Sequence, residues 1–216
     1  MQRFLFILGS GLLVASTAHA QVGLRAGASL AGYRANTNNY FQNTTTSHLG
    51  YQIGVFYQVP LGKRLSLVPE VQYSDERLTL TRTNDSWEGG YYSSLRTRLA
   101  YLNVPVLLRA TFGPVYVEAG AQASALLGGR ETGTFQTGGI VFTPPISVDR
   151  EVASRYRRWD VGPSVGVGVK LPVGLGLSVR AYQGLASLAH DSEANTGHLY
   201  RQTLQASLTY QLGARP

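Results

Sequence analysis

Apolar residues recur at every second position in eight separate segments of the chain. Successive side chains of a β-strand point to opposite sides, so this period of two indicates strands with one apolar face. No charged side chain and no side-chain amide falls on the apolar positions of any segment. The segments span residues 22–30, 51–59, 65–73, 102–112, 115–127, 159–171, 175–181 and 204–212. The chain is therefore predicted to be an all-β protein of about eight strands.

The connections between these segments are alternately short and long. The short ones are 60–64, 113–114 and 172–174. The long and polar ones are 33–48, 75–98, 128–156 and 184–202. Outer-membrane barrels have tight turns on the periplasmic side and longer loops outside the cell. The alternation predicts an antiparallel up-and-down barrel whose two termini both lie at the short-turn end, which would be periplasmic.

The second face of each segment distinguishes a membrane barrel from a soluble one. A secreted lipocalin-like barrel has the same period with its apolar face turned inward, around a ligand cavity. Here the second face combines glycine with glutamine, asparagine and a few charges of both signs. A soluble exterior would carry many more lysines and glutamates, whereas small and polar residues suit a narrow lumen. We therefore predict a transmembrane β-barrel with its apolar face towards lipid.

Aromatic residues occur near both ends of the apolar face. Tyr and Trp are enriched at membrane–water interfaces, so this placement predicts two aromatic belts around an aliphatic band. The belt residues are Tyr51, Tyr73 and Trp159 at the long-loop end and Tyr57, Phe112 and Tyr210 at the turn end.

Charged residues on the polar face are predicted to form a structural cluster in the lumen. The dipeptide Gly113-Pro114 suits a type II′ turn, because Gly supplies the positive φ and Pro the negative one. This turn places Arg109 directly opposite Glu118. An unpaired charge in a narrow lumen is costly, so the charges are expected to balance. The predicted cluster consists of Arg25, Glu70, Arg109, Glu118 and Arg180.

Three prolines lie inside predicted strands, at Pro69, Pro105 and Pro163. A closed barrel has no edge strand at which the lost hydrogen bond is harmless. Local bulges or strand ends are therefore expected at these positions.

The first twenty residues have the organisation of a cleavable signal peptide. Arg3 precedes an apolar run that is too short to span a bilayer as a helix, and Ala18-His19-Ala20 presents small residues to a signal peptidase. We expect cleavage after Ala20, so the intact mass of the membrane-extracted protein should match a chain that begins at Gln21. A mass that still includes the first twenty residues would contradict this. The predicted organisation is a signal peptide at 1–20, a barrel domain at 21–213 and a tail at 214–216.

Composition supports membrane insertion and limits the classes of partner that the chain is expected to bind. Charged residues make up 14% of the chain, against roughly 25% in soluble domains. The chain has no run approaching the ~18 apolar residues of a membrane helix, yet it contains 25 glycines and 13 tyrosines. The formal net charge is +7, but an exported chain without a basic run is not expected to bind nucleic acid. Cysteine is absent, which excludes disulfides, thiolate sites and a lipid-anchored cysteine.

One stretch, 190–193, mixes side chains typical of a nucleophile, a base and an acid. Its residues are adjacent in a predicted loop, and adjacency does not create the geometry of a catalytic triad. Isolated histidines likewise lack the ligand spacing of a metal site, and the glycine pairs lack the strand-to-helix setting of a phosphate loop. We therefore predict no enzymatic activity, cofactor or metal. The residues considered are His190, Asp191, Ser192 and Glu193, the histidines His48 and His198, and the pairs Gly128-Gly129 and Gly138-Gly139.

Arginines are numerous near the predicted outer rim. The guanidinium group pairs bidentately with phosphate, and the outer leaflet displays the phosphates of lipopolysaccharide. Either these arginines contact those phosphates or they are ordinary solvated loop charges. They are Arg77, Arg82, Arg96, Arg98, Arg130, Arg150, Arg155, Arg157 and Arg158.

Several segments of the chain resemble the porin-family outer-membrane β-barrel domain proteins, small barrels related in shape to OmpA-like and OmpX-like proteins. The resemblance covers residues 21 to about 212 and is carried by VGLRAG (22–27), LSLVPEVQYS (65–74), YLNVPVLL (101–108), VYVEAG (115–120) and WDVG (159–162). It implies that Pro69 and Pro105 are ordinary in this family, and that the barrel-insertion machinery is a partner. It implies no catalytic residue and no defined ligand. Such barrels usually end on an aromatic residue, whereas here Tyr210 is followed by Gln211, Leu212 and a short tail.

These observations favour a monomeric, non-enzymatic integral protein of the bacterial outer membrane with a structural or surface-interaction role. The alternatives are a narrow channel for small solutes and an enzyme that modifies outer-leaflet lipid. An interior of eight strands is just wide enough to be filled by side chains, which disfavours a general diffusion pore. Planar-bilayer conductance separates the first two functions. Lipid A mass spectrometry on variants of His190 and Ser192 tests the third.

Overall fold

The computed structural model describes residues 21–35, 42–84, 91–137, 144–187 and 199–212. Within these ranges the chain forms nine strands and two short 3₁₀ turns, Ala153–Arg155 and Pro172–Gly174. None of the helical turns found there has the length and apolarity that a membrane span requires. The strands are β1 (Gln21–Ala35), β2 (Gln42–Pro60), β3 (Leu65–Asn84), β4 (Tyr91–Phe112), β5 (Val115–Thr137), β6 (Ile146–Glu151), β7 (Trp159–Lys170), β8 (Leu175–Ser187) and β9 (Leu199–Gln211).

Eight of these strands close into an antiparallel ring. Neighbours along the chain pair with each other, β5 pairs with both β4 and β7, and β1 pairs with both β2 and β9. The predicted all-β, antiparallel up-and-down barrel is therefore confirmed. Pairs such as Gly23–Gln211 and Phe112–Val115 place both described chain ends beside the short turns.

The long connections are shorter than predicted. β3, β4 and β5 continue through much of 75–98 and 128–156, and the additional strand β6 pairs with the outer part of β5. A strand that rises beyond the apolar band no longer needs an apolar face. Its backbone pairing therefore continues after the apolar period that marked the strand has ended. With β6, the described residues contain nine strands, and eight of them form the ring.

The β4–β5 hairpin has the predicted register. Gly113 has a φ of 61°, as the first central residue of a type II′ turn requires, and Arg109 lies opposite Glu118. The register holds as far as Tyr101 opposite Leu126, and then a bulge shifts the partner of Ala100 to Gly128.

Each strand proline lies where a ladder stops on one side. The β3–β4 pairing is interrupted between Pro69–Val106 and Gln72–Asn103, with the same register on both sides of the gap. Pro105 lies in this gap, while its pairing with Gln122 of β5 is intact. On β7, Ser164 is the residue at which the pairing with β8 stops, so Pro163 lies just outside that ladder. The barrel accommodates Pro69 and Pro105 by a local gap in the β3–β4 ladder, and Pro163 just beyond the end of the β7–β8 ladder.

The two faces of the barrel have opposite chemistry. Outward side chains are apolar and exposed, as for Ile53 (54% exposed) and Val161 (53%), whereas inward Gln52, Gln72 and Gln122 are fully buried. This is the reverse of a soluble lipocalin-like barrel, and it fits a lipid-facing exterior.

Candidate functional site

The lumen contains a dense ionic cluster near the turn end. Glu118 accepts hydrogen bonds from Nε (3.2 Å) and Nη2 (2.9 Å) of Arg109, and from Nε (3.0 Å) and Nη2 (2.7 Å) of Arg180. Arg180 also donates to Glu70 through Nη1 at 3.0 Å. The Nε of Arg25 forms an ion pair with Glu70 at 3.1 Å. All five residues that the sequence placed in the lumen thus lie together, with side chains at most 4% exposed.

Neutral groups complete this cluster, because three arginines face only two glutamates. Arg25 donates from Nη1 to the Ser178 hydroxyl at 2.8 Å, and Arg109 donates from Nη1 to the Gln58 carbonyl at 3.2 Å. The Arg109 guanidinium also lies 4.1 Å from the centroid of the Tyr116 ring, a favourable cation–π contact. The expected balance of charge is therefore not reached within the five residues.

Two aromatic rings fill space that glycines leave free. Phe56 lies opposite Gly23, and Tyr116 lies opposite Gly168. A Cβ at either glycine would overlap the facing ring. The sequence indicated that lumen glycines make room for long arginines, but here they make room for rings on which Arg109 packs.

A layer of amides and hydroxyls lies above the ionic cluster. Gln52 donates to the Ser207 hydroxyl at 2.7 Å, and Gln72 donates to Gln52. On the other side of the lumen, Ser124 donates to Asn103 at 2.8 Å. The side chains of this layer are fully buried or nearly so, and hydrogen bonds between them satisfy several of the polar groups that water cannot reach.

A second ionic cluster lies towards the long-loop end and was missed from the sequence. Arg201 donates to Glu76 through Nε at 3.0 Å and through Nη2, and its guanidinium lies 4.0 Å from the Tyr101 ring centroid. Asp160 accepts from the Tyr182 hydroxyl at 2.8 Å. With Glu76 and Asp160 facing one arginine here, the two clusters together carry four arginines and four carboxylates.

The signal for this second cluster was present in the chain. Glu76 and Arg201 lie within segments interpreted as polar connections. The period of two nevertheless continues through Gln72, Ser74 and Glu76, and back from Thr203 to Arg201. Extending the polar face instead of the apolar face would have found both residues.

The predicted belt residues lie on the outward face. Trp159 is 69% exposed, and the rings of Tyr51 and Tyr73 lie 6.1 Å apart between centroids, all towards the long-loop end. Phe112, Tyr210 and the half-buried Tyr57 lie towards the turn end. Their role at the membrane interface remains a prediction.

Some of the remaining candidate residues make contacts that stabilise the fold, and the others lie outside the described ranges. His48 shares a hydrogen bond of 2.8 Å with the Thr79 hydroxyl, and no group of residues in the described part of the chain could hold a metal ion. The bidentate hydrogen bond from exposed Arg130 lowers the pKa of the Asp149 carboxyl below its ordinary value. The predicted signal peptide at 1–20, the stretch 190–193, His198, Gly138-Gly139, Gly213 and the tail at 214–216 lie outside the described residues, as does the side chain of Arg82.

One family model and several solved structures of outer-membrane proteins are similar to this chain. The family model described as outer membrane protein beta-barrel domain matches residues 15–190 of this chain. Neisserial surface protein A is 14% identical and has a TM-score of 0.50 over 88% of this chain and 97% of its own. Ail, the attachment invasion locus protein of Yersinia pestis, solved with the heparin analogue sucrose octasulfate, is 9% identical, with a TM-score of 0.47 over 89% and 99%. OprG from Pseudomonas aeruginosa is 9% identical, with a TM-score of 0.46 over 91% and 98%. No curated protein sequence matches the chain.

Proposed function

The chain belongs to the outer membrane protein beta-barrel domain family, and from this premise we propose that it is a non-enzymatic barrel with a closed lumen and a structural or surface-interaction role. Membership of this family implies the bacterial outer membrane as its location. The proposal concerns what the barrel does there.

The observation that carries this proposal is the burial of the lumen side chains. Side chains that line a water-filled pore keep surface that a water molecule can touch. Here Gln52, Gln72 and Gln122 in the middle layer keep none, and Arg25 and Arg180 below them keep 1–2%. Near the long-loop end, Leu99, Tyr101 and Leu126 form a small apolar core against which Ala153 and Tyr156 pack. These layers support a lumen without a continuous column of water.

We therefore expect the purified barrel to conduct no porin-like current in planar bilayers. Aqueous porins use roughly 16–18 strands, and an eight-stranded interior is filled by its side chains. The measurement is single-channel recording of wild-type protein beside the variant Gln122→Ala, which opens space in the middle layer. Stable conductance steps of any size from the wild type would contradict a closed lumen. Small steps would favour a narrow channel instead, and large steps would show that the lumen is not filled by its side chains.

The orientation that we propose places both termini in the periplasm. The short turns and the described chain ends lie at one end of the ring, whereas the strands extend furthest beyond the aromatic positions at the other. Tight turns on the periplasmic side and long extensions outside are the usual arrangement of such barrels. A monomer inserted this way presents its arginine-rich end to the cell exterior.

Contact with lipopolysaccharide phosphates is the surface interaction that we propose for this end. Guanidinium groups bind phosphate by paired, charge-assisted hydrogen bonds. Not every arginine at the rim is available for this, because Arg150 donates to Glu131 at 2.7 Å. The arginines on the outward wall are the better candidates. Binding of purified lipopolysaccharide to the wild-type barrel in neutral nanodiscs tests the proposal, and absence of binding would contradict it.

A further inference from the structure

Three arginines lie in one row across three neighbouring strands of the outward wall. Arg77 of β3 is directly opposite Arg98 of β4, and Arg98 is directly opposite Arg130 of β5. His48 of β2 continues the row opposite Arg77. Directly opposed positions bring Cβ atoms to about 4.5–5.5 Å, and like charges there destabilise a sheet. Asp75 and Asp149 offset part of this cost, and a ligand of opposite charge would offset it further.

A buried carboxylate holds two of these arginines. The Asp75 side chain is 1% exposed, and it accepts hydrogen bonds from the Nε of Arg77 at 2.8 Å and from the Nε of Arg98. The two arginine side chains are 44% and 56% exposed. Among the described residues no carboxylate accepts from the terminal Nη groups of either arginine. Asp75 thus fixes two guanidinium groups while their bidentate edges stay available.

The row borders a groove whose lining, among the described residues, includes no carboxylate. Arg96 lies two residues beyond Arg98 on the same face, and it forms no ion pair with any described carboxylate. Together with Arg77, Arg98, Arg130 and His48 it lines a groove of about 500 Å³. The exposed side chain of Leu49 completes the lining. Arg130 gives its bidentate edge to Asp149, so three guanidinium groups, those of Arg77, Arg96 and Arg98, fit a phosphorylated amphiphile beside the apolar side chain.

The height of the groove also points to a lipid. Tyr73 and Arg77 are four residues apart on one strand, which separates them by about 13 Å along the strand. Tyrosines of an aromatic belt lie at the level of the lipid headgroups. The row therefore begins just beyond the belt, on the wall that faces neighbouring lipids and not in the lumen.

We propose that Arg77, Arg96 and Arg98 form a binding site for the phosphate groups of lipid A in outer-leaflet lipopolysaccharide, with Asp75 as a positioning residue. This site deepens the proposed surface interaction, and it rests on the proposed orientation of the barrel. We call these three arginines the outer-wall site.

The test measures lipid A affinity by thermophoresis, with labelled barrel in phosphatidylcholine nanodiscs and EDTA present to remove bridging cations. The site variant is Arg96→Gln/Arg98→Gln. Its matched control is Arg157→Gln/Arg158→Gln, which removes the same charge from exposed arginines next to β7. We expect the site variant to bind bis-phosphorylated lipid A at least about tenfold more weakly, since charge-assisted hydrogen bonds are lost. The control should bind as the wild type does.

Other ligands test whether the outer-wall site recognises the phosphates of lipid A. Dephosphorylated lipid A should bind the wild type and the site variant equally weakly. Inorganic phosphate that bound as tightly as lipid A would overturn the commitment to a lipid. Equal losses in the site variant and the control would overturn the outer-wall site while leaving the proposed orientation and surface role standing. Should Arg96→Gln/Arg98→Gln not fold, by circular dichroism, Arg96→Gln alone replaces it.

Asp75→Asn tests the positioning role separately. Removing a negative charge beside the site would strengthen anion binding if only net charge mattered. If Asp75 orients Arg77 and Arg98, lipid A binding weakens instead, and Asp75→Glu recovers part of it. Tighter binding by Asp75→Asn would overturn the positioning role.

Discussion

Glu118→Ala is expected to lower the unfolding free energy of the barrel by about 3–5 kcal/mol, the usual cost of removing one partner from a buried ion pair. The variant leaves Arg109 and Arg180 without the carboxylate that accepts two hydrogen bonds from each. The positive charges of Arg25, Arg109 and Arg180 then have Glu70 as the one remaining carboxylate of the cluster. Urea midpoints in lipid vesicles measure the loss.

Three comparisons identify the cause of this loss. Glu118→Gln keeps the side-chain volume but removes the charge. It should lower the unfolding free energy nearly as much as Glu118→Ala does, because the missing charge and not the missing volume causes the loss. Glu151→Ala removes the same side chain from an exposed position at the end of β6, and it should have little effect. Arg77→Ala breaks an ion pair that is partly exposed, which is worth about 1 kcal/mol or less. Equal urea midpoints for Glu118→Ala and Arg77→Ala would contradict this account of the lumen.

The turn at Gly113 explains why much of the lumen could be predicted. In a hairpin, one turn type fixes every later pair, and alternation then fixes the face of each residue. Arg109, Glu118 and their burial follow from those two rules alone. The apolar period arises from contact with lipid, so it predicts only the part of each strand that lies within the bilayer.

The full row around the outer-wall site could not be predicted, because bulges place Arg130 and His48 in it. Extending the hairpin register from Gly113 would place Arg98 opposite Gly129, and only the bulge beyond Tyr101 brings Arg98 opposite Arg130. A second irregularity on β2 likewise sets His48 opposite Arg77. Glycines lie at both irregularities, Gly50 on β2 and Gly128 on β5, but glycine also occupies regularly paired positions of these strands, so it does not mark a bulge by itself. The arginines were visible in the sequence, but their alignment in one row was not.

The ring packing of Phe56 and Tyr116 was hidden for another reason. Both residues occupy inward positions, where an aromatic ring does not fit the expected polar lumen. Their place depends on glycines of the neighbouring strands, 23 and 168, and pairing between β5 and β7 crosses a long connection. Sequence alone gives no register for such a pair.

Gly162→Ala is expected to destabilise the barrel by about 1–3 kcal/mol or more, the range for added atoms in a packed interior. Gly162 is buried on β7 beside Pro163, where the β7–β8 ladder has ended. A Cβ there would overlap the backbone carbonyl oxygen of Gln183 and lie 2.9 Å from its carbonyl carbon. A flexible side chain could move aside, but this carbonyl belongs to a strand of a closed ring.

The matched control is Gly128→Ala, which adds the same methyl group where no atom lies within 4 Å of the new Cβ. Reduced backbone freedom in the unfolded chain gives this control an effect near zero or slightly stabilising, by about 0.4–1 kcal/mol. Both variants are compared with the wild type by urea titration and by recovery of folded barrel after refolding into vesicles. If Gly162→Ala kept the wild-type midpoint, the close approach of β7 and β8 would not be needed to close the ring. The unpaired stretch of β7 and β8 beside Pro163 would then be loosely packed. A lower midpoint for Gly162→Ala alone would show that backbone contact closes the barrel where proline has removed the hydrogen bonds.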